Sequence, residues 1–509
     1  MPPPLAFVLN GGPVEVPDDG CSLLEALRDR LGVRSPKDGC SPQGQCGCCT
    51  VLVDGQARVA CVTPARRVAG RTVTTIEGLE DGERWAAAFA ATGASQCGFC
   101  TPGIIVRLVA ASARGPLTHG AVDQALLAHL CRCTGWQTIR EAALDPAPAA
   151  AALKRRDMPS AARRAALEGR VPQAVGADIA FGRGGFAEDT APLDALVAVR
   201  APDGSWVVGA TLTEARAAAG KVQGRRTTAA LTWPLELPPG PWVRTLRTTW
   251  VEPAYLETDA SWCRPGGEPV TSLANGGAFG GKATTEVAAA ARALADQHRR
   301  PVRALYARED TVRWGPKRPP IAAGVRADGT GVVRVLRTPG IAQAIASVGP
   351  GLVVEEVAVP GPSTSAGIRG AGWAEAAVLL ASLVQGPDVV LSPEGAWAAA
   401  SVDEDGRVAV RVSCGPPLDE VVLRSYCIGA AHMALGWVRS EGLAVDASGL
   451  PLDLTIRSFG ILRAVDTPAI DVTIEDGDGE PVNGSDAVFA AVAAAAWRAL
   501  GHPGAWPAR

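Results

Sequence analysis

The sequence predicts a multidomain α+β protein: a small β-grasp domain, a four-helix bundle, and a longer mixed α/β region. Three observations predict it. Two short hairpins flank one amphipathic helix before residue 78. Four short helical patterns follow up to about residue 150. From about residue 180 onward, strands and helices alternate between Gly- and Pro-rich turns. A chain of 509 residues has room for two to four such cores.

The elements follow in order. LAFVL and PVEV flank Asn10-Gly11-Gly12, and Asn-Gly between apolar runs is a hairpin signal. Leu23, Leu24, Leu27 and Leu31 place one apolar face on a helix over 22–31. A second hairpin, 51–62, turns at Asp54-Gly55, and TVTTI (72–76) supplies a last strand. Helices are predicted over 83–91, 103–113, 121–130 and 137–143, with Thr101 as N-cap and Pro102 at the first position of the second. Domain boundaries are set at 1–78, 79–150 and 181–509. The Ala/Pro-rich stretch over 151–180 is read as a linker with partial helical character.

Composition excludes several classes. The net charge is −3 with both signs interspersed, which gives no footprint for nucleic acid or a membrane surface. No signal peptide and no membrane-spanning run is read from the sequence, so the expected location is cytoplasmic. The five histidines are scattered, with no His/carboxylate spacing of a zinc hydrolase.

Cysteine carries the chemistry. There are 13, ten of them before residue 134. An odd count with no export signal reads as metal ligation rather than a disulfide framework. Cys40, Cys46, Cys49 and Cys61 are spaced x5, x2 and x11. Three thiolates on one Gly-rich loop and a fourth on the following hairpin strand match a plant-type [2Fe–2S] ferredoxin-like site, with the first gap one residue longer than usual. Gly39, Gly44 and Gly47 let that loop curl, and Cys48 is an extra thiol within it. A zinc loop is the alternative. Cys97, Cys100, Cys131 and Cys133 form C-x2-C…x30…C-x-C, with the first pair at a helix N-terminus where the dipole favours thiolates. This spacing also permits a four-thiolate zinc site. Cys21 is a second spare, and Cys263, Cys414 and Cys427 read as core.

SQCGFCTPG (95–103) and LCRCTGW (130–136), following GQCGCCTVLVDG (44–55), resemble the iron–sulfur part of the xanthine oxidase and aldehyde oxidase family of molybdenum hydroxylases. The resemblance covers residues 1–150 and implies two [2Fe–2S] clusters on the eight cysteines. It also implies that the helical cluster lies nearer the molybdenum and the β-grasp cluster nearer a flavin. Trp136 stands where the family usually has Tyr.

Four later segments resemble the family's molybdenum part, in its order: WVEPAYLETDASWC (250–263), NGGAFGGK (275–282), SAGIRGAGWAE (365–375) and GDGEP (477–481). The late region is thereby read as a shortened, mixed α/β molybdopterin-binding-like domain. Gly276, Gly277, Phe279, Gly280 and Gly281, ahead of a helix expected near Thr284, would expose amides to the cofactor. Arg369 would pin an anion. Glu480 would be the catalytic base. The chain lacks the family's later G-Q-G segment and shows no Gly-rich nucleotide motif.

Two functions follow from the resemblance. In the first, the chain is a compact oxidoreductase that hydroxylates a small-molecule aldehyde or N-heterocycle and passes electrons to a separate FAD-binding subunit or other acceptor. In the second, it is a non-catalytic iron–sulfur subunit whose late domain docks another, molybdenum-bearing chain.

Overall fold

The computed structural model describes residues 4–145, 153, 155–221, 224, 226–272, 276–282, 286–383 and 388–508. The first hairpin pairs β1 (Leu5–Leu9) with β2 (Gly12–Val16), and the second pairs β3 (Thr50–Val53) with β4 (Gln56–Val59). Both turns take two residues with positive φ: Asn10 at 50° and Gly11 at 85°, Asp54 at 47° and Gly55 at 74°. That double left-handed turn matches the strand twist, which explains the Asn-Gly and Asp-Gly choices. β5 (Thr72–Thr74) joins the hairpins, lying parallel to β1 and antiparallel to β3, in the order β2-β1-β5-β3-β4.

The helix expected over 22–31 is present in two pieces. One α-turn, Leu23–Glu25, is capped by the Ser22 hydroxyl, which accepts from the Glu25 N–H at 3.2 Å. It widens into a π-turn, Ala26–Arg30. Four helices follow: α1 (Gly82–Thr92), α2 (Thr101–Ser112), α3 (His119–Leu126) and α4 (Gln137–Leu144). α2 begins at Thr101 with Cys100 as its N-cap, one residue before the expected cap. α3 starts two residues earlier than expected, where the Thr118 hydroxyl accepts from the Ala121 N–H at 3.2 Å.

The stretch read as a linker is not one. Its described part holds the helix Met158–Gly169, whose Arg164 and Glu168 are fully buried. The Glu168 carboxylate accepts from the backbone N–H groups of Gly484 at 3.1 Å and Ser485 at 2.8 Å, satisfying the start of a late helix. The helical character was expected; the burial was not, because the buried face carries an ion pair.

The later region contains a five-stranded and two four-stranded sheets, a mixed α+β arrangement as expected. Two long helices, α5 (Glu420–Arg439) and α6 (Ser485–Ala499), pack on each other and against the last sheet. Long runs of Ala on α6 allow that close approach. α5 is long and apolar enough to cross a membrane, contrary to the sequence expectation; 89% of its apolar window is buried inside the protein.

The early part does not stand apart from the late one. Lys37 pairs with Asp189 at 2.5 Å, Arg303 with Asp29 at 2.9 Å, and the Arg308 guanidinium donates to the Gly39 carbonyl at 2.6 Å. Arg457 donates to the carbonyls of Gln45 at 2.9 Å and Leu127 at 3.1 Å.

Candidate metal centres

All eight predicted cysteines are buried, none more than 5% exposed. In the first group, the loop turns through Gly44 (φ 69°) and Gly47 (φ 74°), conformations that cost a Cβ-bearing residue strain. Cys40 touches the thiols of Cys46 and Cys61, and Cys49 touches Cys61. Backbone N–H groups point at the sulfurs: Gln43 to Cys40 at 3.0 Å and Cys61 to Cys49 at 3.4 Å. The thiols of Cys46 and Cys61, with the Gln43 and Gln45 amides, hold Cys40 well below the usual thiol range against the cost of burial. Cys61 was expected on the hairpin strand; it sits just beyond, in the 3₁₀ turn Ala60–Val62, because the β3–β4 ladder ends at Val59. Cys48 is also buried, against Cys46.

In the second group, the Cys97 and Cys133 sulfurs lie 3.7 Å apart and Cys100 contacts Cys131. The Cys100 contact and the Thr134 hydroxyl, 3.1 Å from the Cys131 sulfur, lower the Cys131 thiol to about 6 despite burial. A single zinc ion would draw four sulfurs to one point. Among the described residues, no three ligating side chains converge in that way. In the second group the sulfurs come in two pairs, Cys97 with Cys133 and Cys100 with Cys131, which suits two irons holding two cysteines each, while in the first group they run in a chain, Cys46–Cys40–Cys61–Cys49.

The residues marked for a molybdenum cofactor also meet, but they meet on one another. Gly277 lies against the Arg132–Cys133 turn: a Cβ there would fall 3.0 Å from Arg132 and 3.3 Å from the Cys133 sulfur. A Cβ on Gly280 would fall 1.9 Å from the Gly367 carbonyl, one on Gly276 2.6 Å from Glu257, and one on Gly281 2.7 Å from Pro253. Phe279 accepts a backbone hydrogen bond from Arg369 at 2.9 Å, and its ring lies 3.8 Å beneath the Arg369 guanidinium. The space enclosed by Phe279, Arg369, Arg132 and Arg318 is about 20 Å³. That is room for about one water, whereas organic cofactors take roughly 300–1,000 Å³. Phe279, Arg369, Arg132 and Arg318 thus leave no room for a pterin between them, while a separate cavity of about 470 Å³ is lined by Gly367, Gly370, Asp486 and Arg170. The helix start expected near Thr284 lies outside the described residues, and the helix is described from Glu286.

Glu480 is not brought to this place. Its side chain is 89% exposed, and its nearest cation is the exposed Arg163 at 3.7 Å. The acidic run IEDGDGEP keeps the loop in water, so the fold gives Glu480 no buried partner to deprotonate. The acid that does reach Arg369 is Asp486, at 2.9 Å. The sequence reading missed it, along with Glu441, which holds Arg132 through two hydrogen bonds of 2.5 and 2.8 Å. Asn483-Gly484-Ser485-Asp486 before an Ala-rich run is a helix-start signal that could have flagged Asp486. Nothing local marks Glu441.

The profile described as "[2Fe-2S] binding domain" matches residues 75–144. The xanthine dehydrogenase iron-sulfur-binding subunit of Escherichia coli O157:H7 is 42% identical over 146 residues, covering 27% of this chain and 89% of that subunit. The aldehyde oxidoreductase of Megalodesulfovibrio gigas is 42% identical over 137 residues, which span only 14% of that protein. In three dimensions, the aldehyde oxidoreductase of Desulfovibrio desulfuricans superposes with a TM-score of 0.71 over 97% of both chains at 15% identity, a likeness of fold. The chain therefore belongs to the xanthine oxidase and aldehyde oxidase family of molybdenum hydroxylases.

Proposed function

We propose that this chain is the iron–sulfur electron-transfer component of a molybdenum-hydroxylase-type oxidoreductase. The carrying observation is the burial of eight cysteines in two groups whose thiols touch one another. Cys40, Cys46, Cys49 and Cys61, within a β-grasp, ferredoxin-like domain (1–78), would hold one [2Fe–2S] cluster. Cys97, Cys100, Cys131 and Cys133, within the helical domain (79–150), would hold the other. A bound [2Fe–2S] cluster supplies a site that takes and gives back one electron.

The chain's own residues do the rest. Backbone N–H groups of Gln43 and Gln45 face the Cys40 sulfur and favour its thiolate form. Phe99 and Phe186, edge to face at 5.1 Å, help keep water from the Cys97–Cys100 turn. The substrate-oxidising centre, acting on a small aldehyde or N-heterocycle, is assigned to a separate molybdenum subunit, and the electron acceptor to an FAD-binding subunit. The related iron-sulfur-binding subunit matches this chain over 89% of its own length, which supports such a division of labour. A reducing, cytoplasmic compartment suits thirteen free thiols.

The test is iron and acid-labile sulfide in the purified full chain, with electron paramagnetic resonance after reduction. About four irons per chain and two distinct [2Fe–2S] signals are expected. Zinc in place of iron at either group would overturn the proposal.

A further inference from the structure

The strongest departure from the family lies where a pterin would be held, and it rests on charge as well as volume. Three arginines reach this place, each on a buried carboxylate: Arg369 on Asp486, Arg132 on Glu441 and Arg318 on Glu375, at 2.9, 2.5 and 2.7 Å, with Asp486 shared by Arg170. A phosphate-bearing ligand entering between Arg369, Arg132 and Arg318 would require one of these pairs to open. Breaking a buried pair is strongly unfavourable.

Arg369 itself is held on each of its three nitrogens. Its Nε donates to Asp486 at 2.9 Å and its Nη2 to the Ser485 hydroxyl at 2.9 Å. Its Nη1 faces the Met433 sulfur at 3.4 Å, and its flat face covers the Phe279 ring at 3.8 Å. A planar cation on an aromatic face, with its edge hydrogen-bonded, is a well-satisfied way to fill a slot. The slot has no slack at its rim either, because Gly280 is pressed on the Gly367 carbonyl too closely for any side chain.

We infer that Arg369 is an internal plug in the place of the cofactor, and that the late region serves as a redox-inactive cap over the helical cysteine group. The cap reaches that group directly. Gly277 abuts the Cys133 sulfur, and on α5 a Cβ at Gly429 would fall 1.7 Å from the Cys133 carbonyl. The cap half of this inference rests on the proposed cluster at Cys97, Cys100, Cys131 and Cys133; the plug half does not.

The experiment uses the full chain, produced in a host that makes molybdenum cofactor. Molybdenum, iron and oxidatively released pterin are measured per chain. Expected are iron near four, and molybdenum and pterin each below about a tenth. Molybdenum and pterin near one per chain would overturn the plug. Iron near zero with molybdenum also near zero would overturn the cluster proposal and leave the plug standing. The cap is read from Arg369→Ala, which empties the slot. Its helical-cluster resonance should fade several-fold faster in air than in the parent, with the β-grasp signal unchanged. Equal fading in parent and variant would overturn the cap. Arg369→Lys, which keeps the charge opposite Asp486, should fall between the two, and it serves in place of Arg369→Ala if that variant does not fold.

Discussion

Leu130 donates its backbone N–H to the Cys46 carbonyl at 3.0 Å, so the residue before Cys131 is hydrogen-bonded to a member of the other cysteine group. One peptide contact thus links the loops of two domains that the sequence presents as separate. His129 reinforces it, its ring Nε2 lying 3.2 Å from the Thr50 hydroxyl beside Cys49. The loops of the two proposed clusters are in direct contact rather than joined by a tether alone.

Gly429→Ala is predicted to be severe. Its new methyl would overlap the Cys133 carbonyl, and both partners are backbone, so neither can swing aside. Overpacking of this kind costs about 1–3 kcal/mol and rises with the overlap. Iron content should drop by about half, with the helical-cluster resonance lost and the other kept. Unchanged iron and melting would contradict the close approach.

Glu441→Gln should loosen the turn between Cys131 and Cys133. It leaves the buried Arg132 guanidinium without its counter-charge, a loss of about 3–5 kcal/mol. On heating, the helical-cluster signal should disappear before the β-grasp signal. Simultaneous loss at the parent's temperature would mean that the pair does not hold the turn.

His432 predicts an acid-sensitive step. The side chain is fully buried on α5, and its Nε2–H donates to the Leu462 carbonyl at 3.1 Å. Burial, only partly opposed by that carbonyl, lowers its imidazole from 6.5 to about 4. The unfolded chain therefore binds a proton that the folded one refuses between these values. Stability present above pH 6.5 should fall as the pH drops toward 4, by up to about 3 kcal/mol. Denaturant midpoints at pH 7.5 and 5 would show this, and His432→Gln should reduce the difference. An equal drop in both proteins would rule His432 out.

Glu480→Gln is predicted to be silent. An exposed carboxylate facing an exposed arginine at 3.7 Å contributes little in water. Melting temperature, iron content and electron uptake from a chemical reductant should match the parent. A large fall in substrate turnover by the assembled enzyme would restore Glu480 as a base and remove the present reading of its loop.

Much was legible in the sequence, and for a local reason. The Asn-Gly and Asp-Gly turns fix their backbone conformations within two residues. The eight cysteines were likewise legible, because a short loop and a helix start bring most of each group together by spacing alone. Even there, the exact seat of Cys61 depended on where a ladder stopped.

The sequence by itself determined the grouping of the eight cysteines, the hairpins and helices that carry them, and the resemblance in the order of the late motifs. Only the tertiary structure decided what those late motifs do. Gly276–Gly281 and Arg369 are the residues expected of a cofactor cleft, yet Asp486 lies 117 residues from Arg369, and Glu441 lies 309 from Arg132. Whether a loop and an arginine enclose a ligand or each other depends on the volume and charge left over after such distant partners have packed. No motif encodes that remainder. In this chain it is about 20 Å³, with each of its arginines already on a carboxylate.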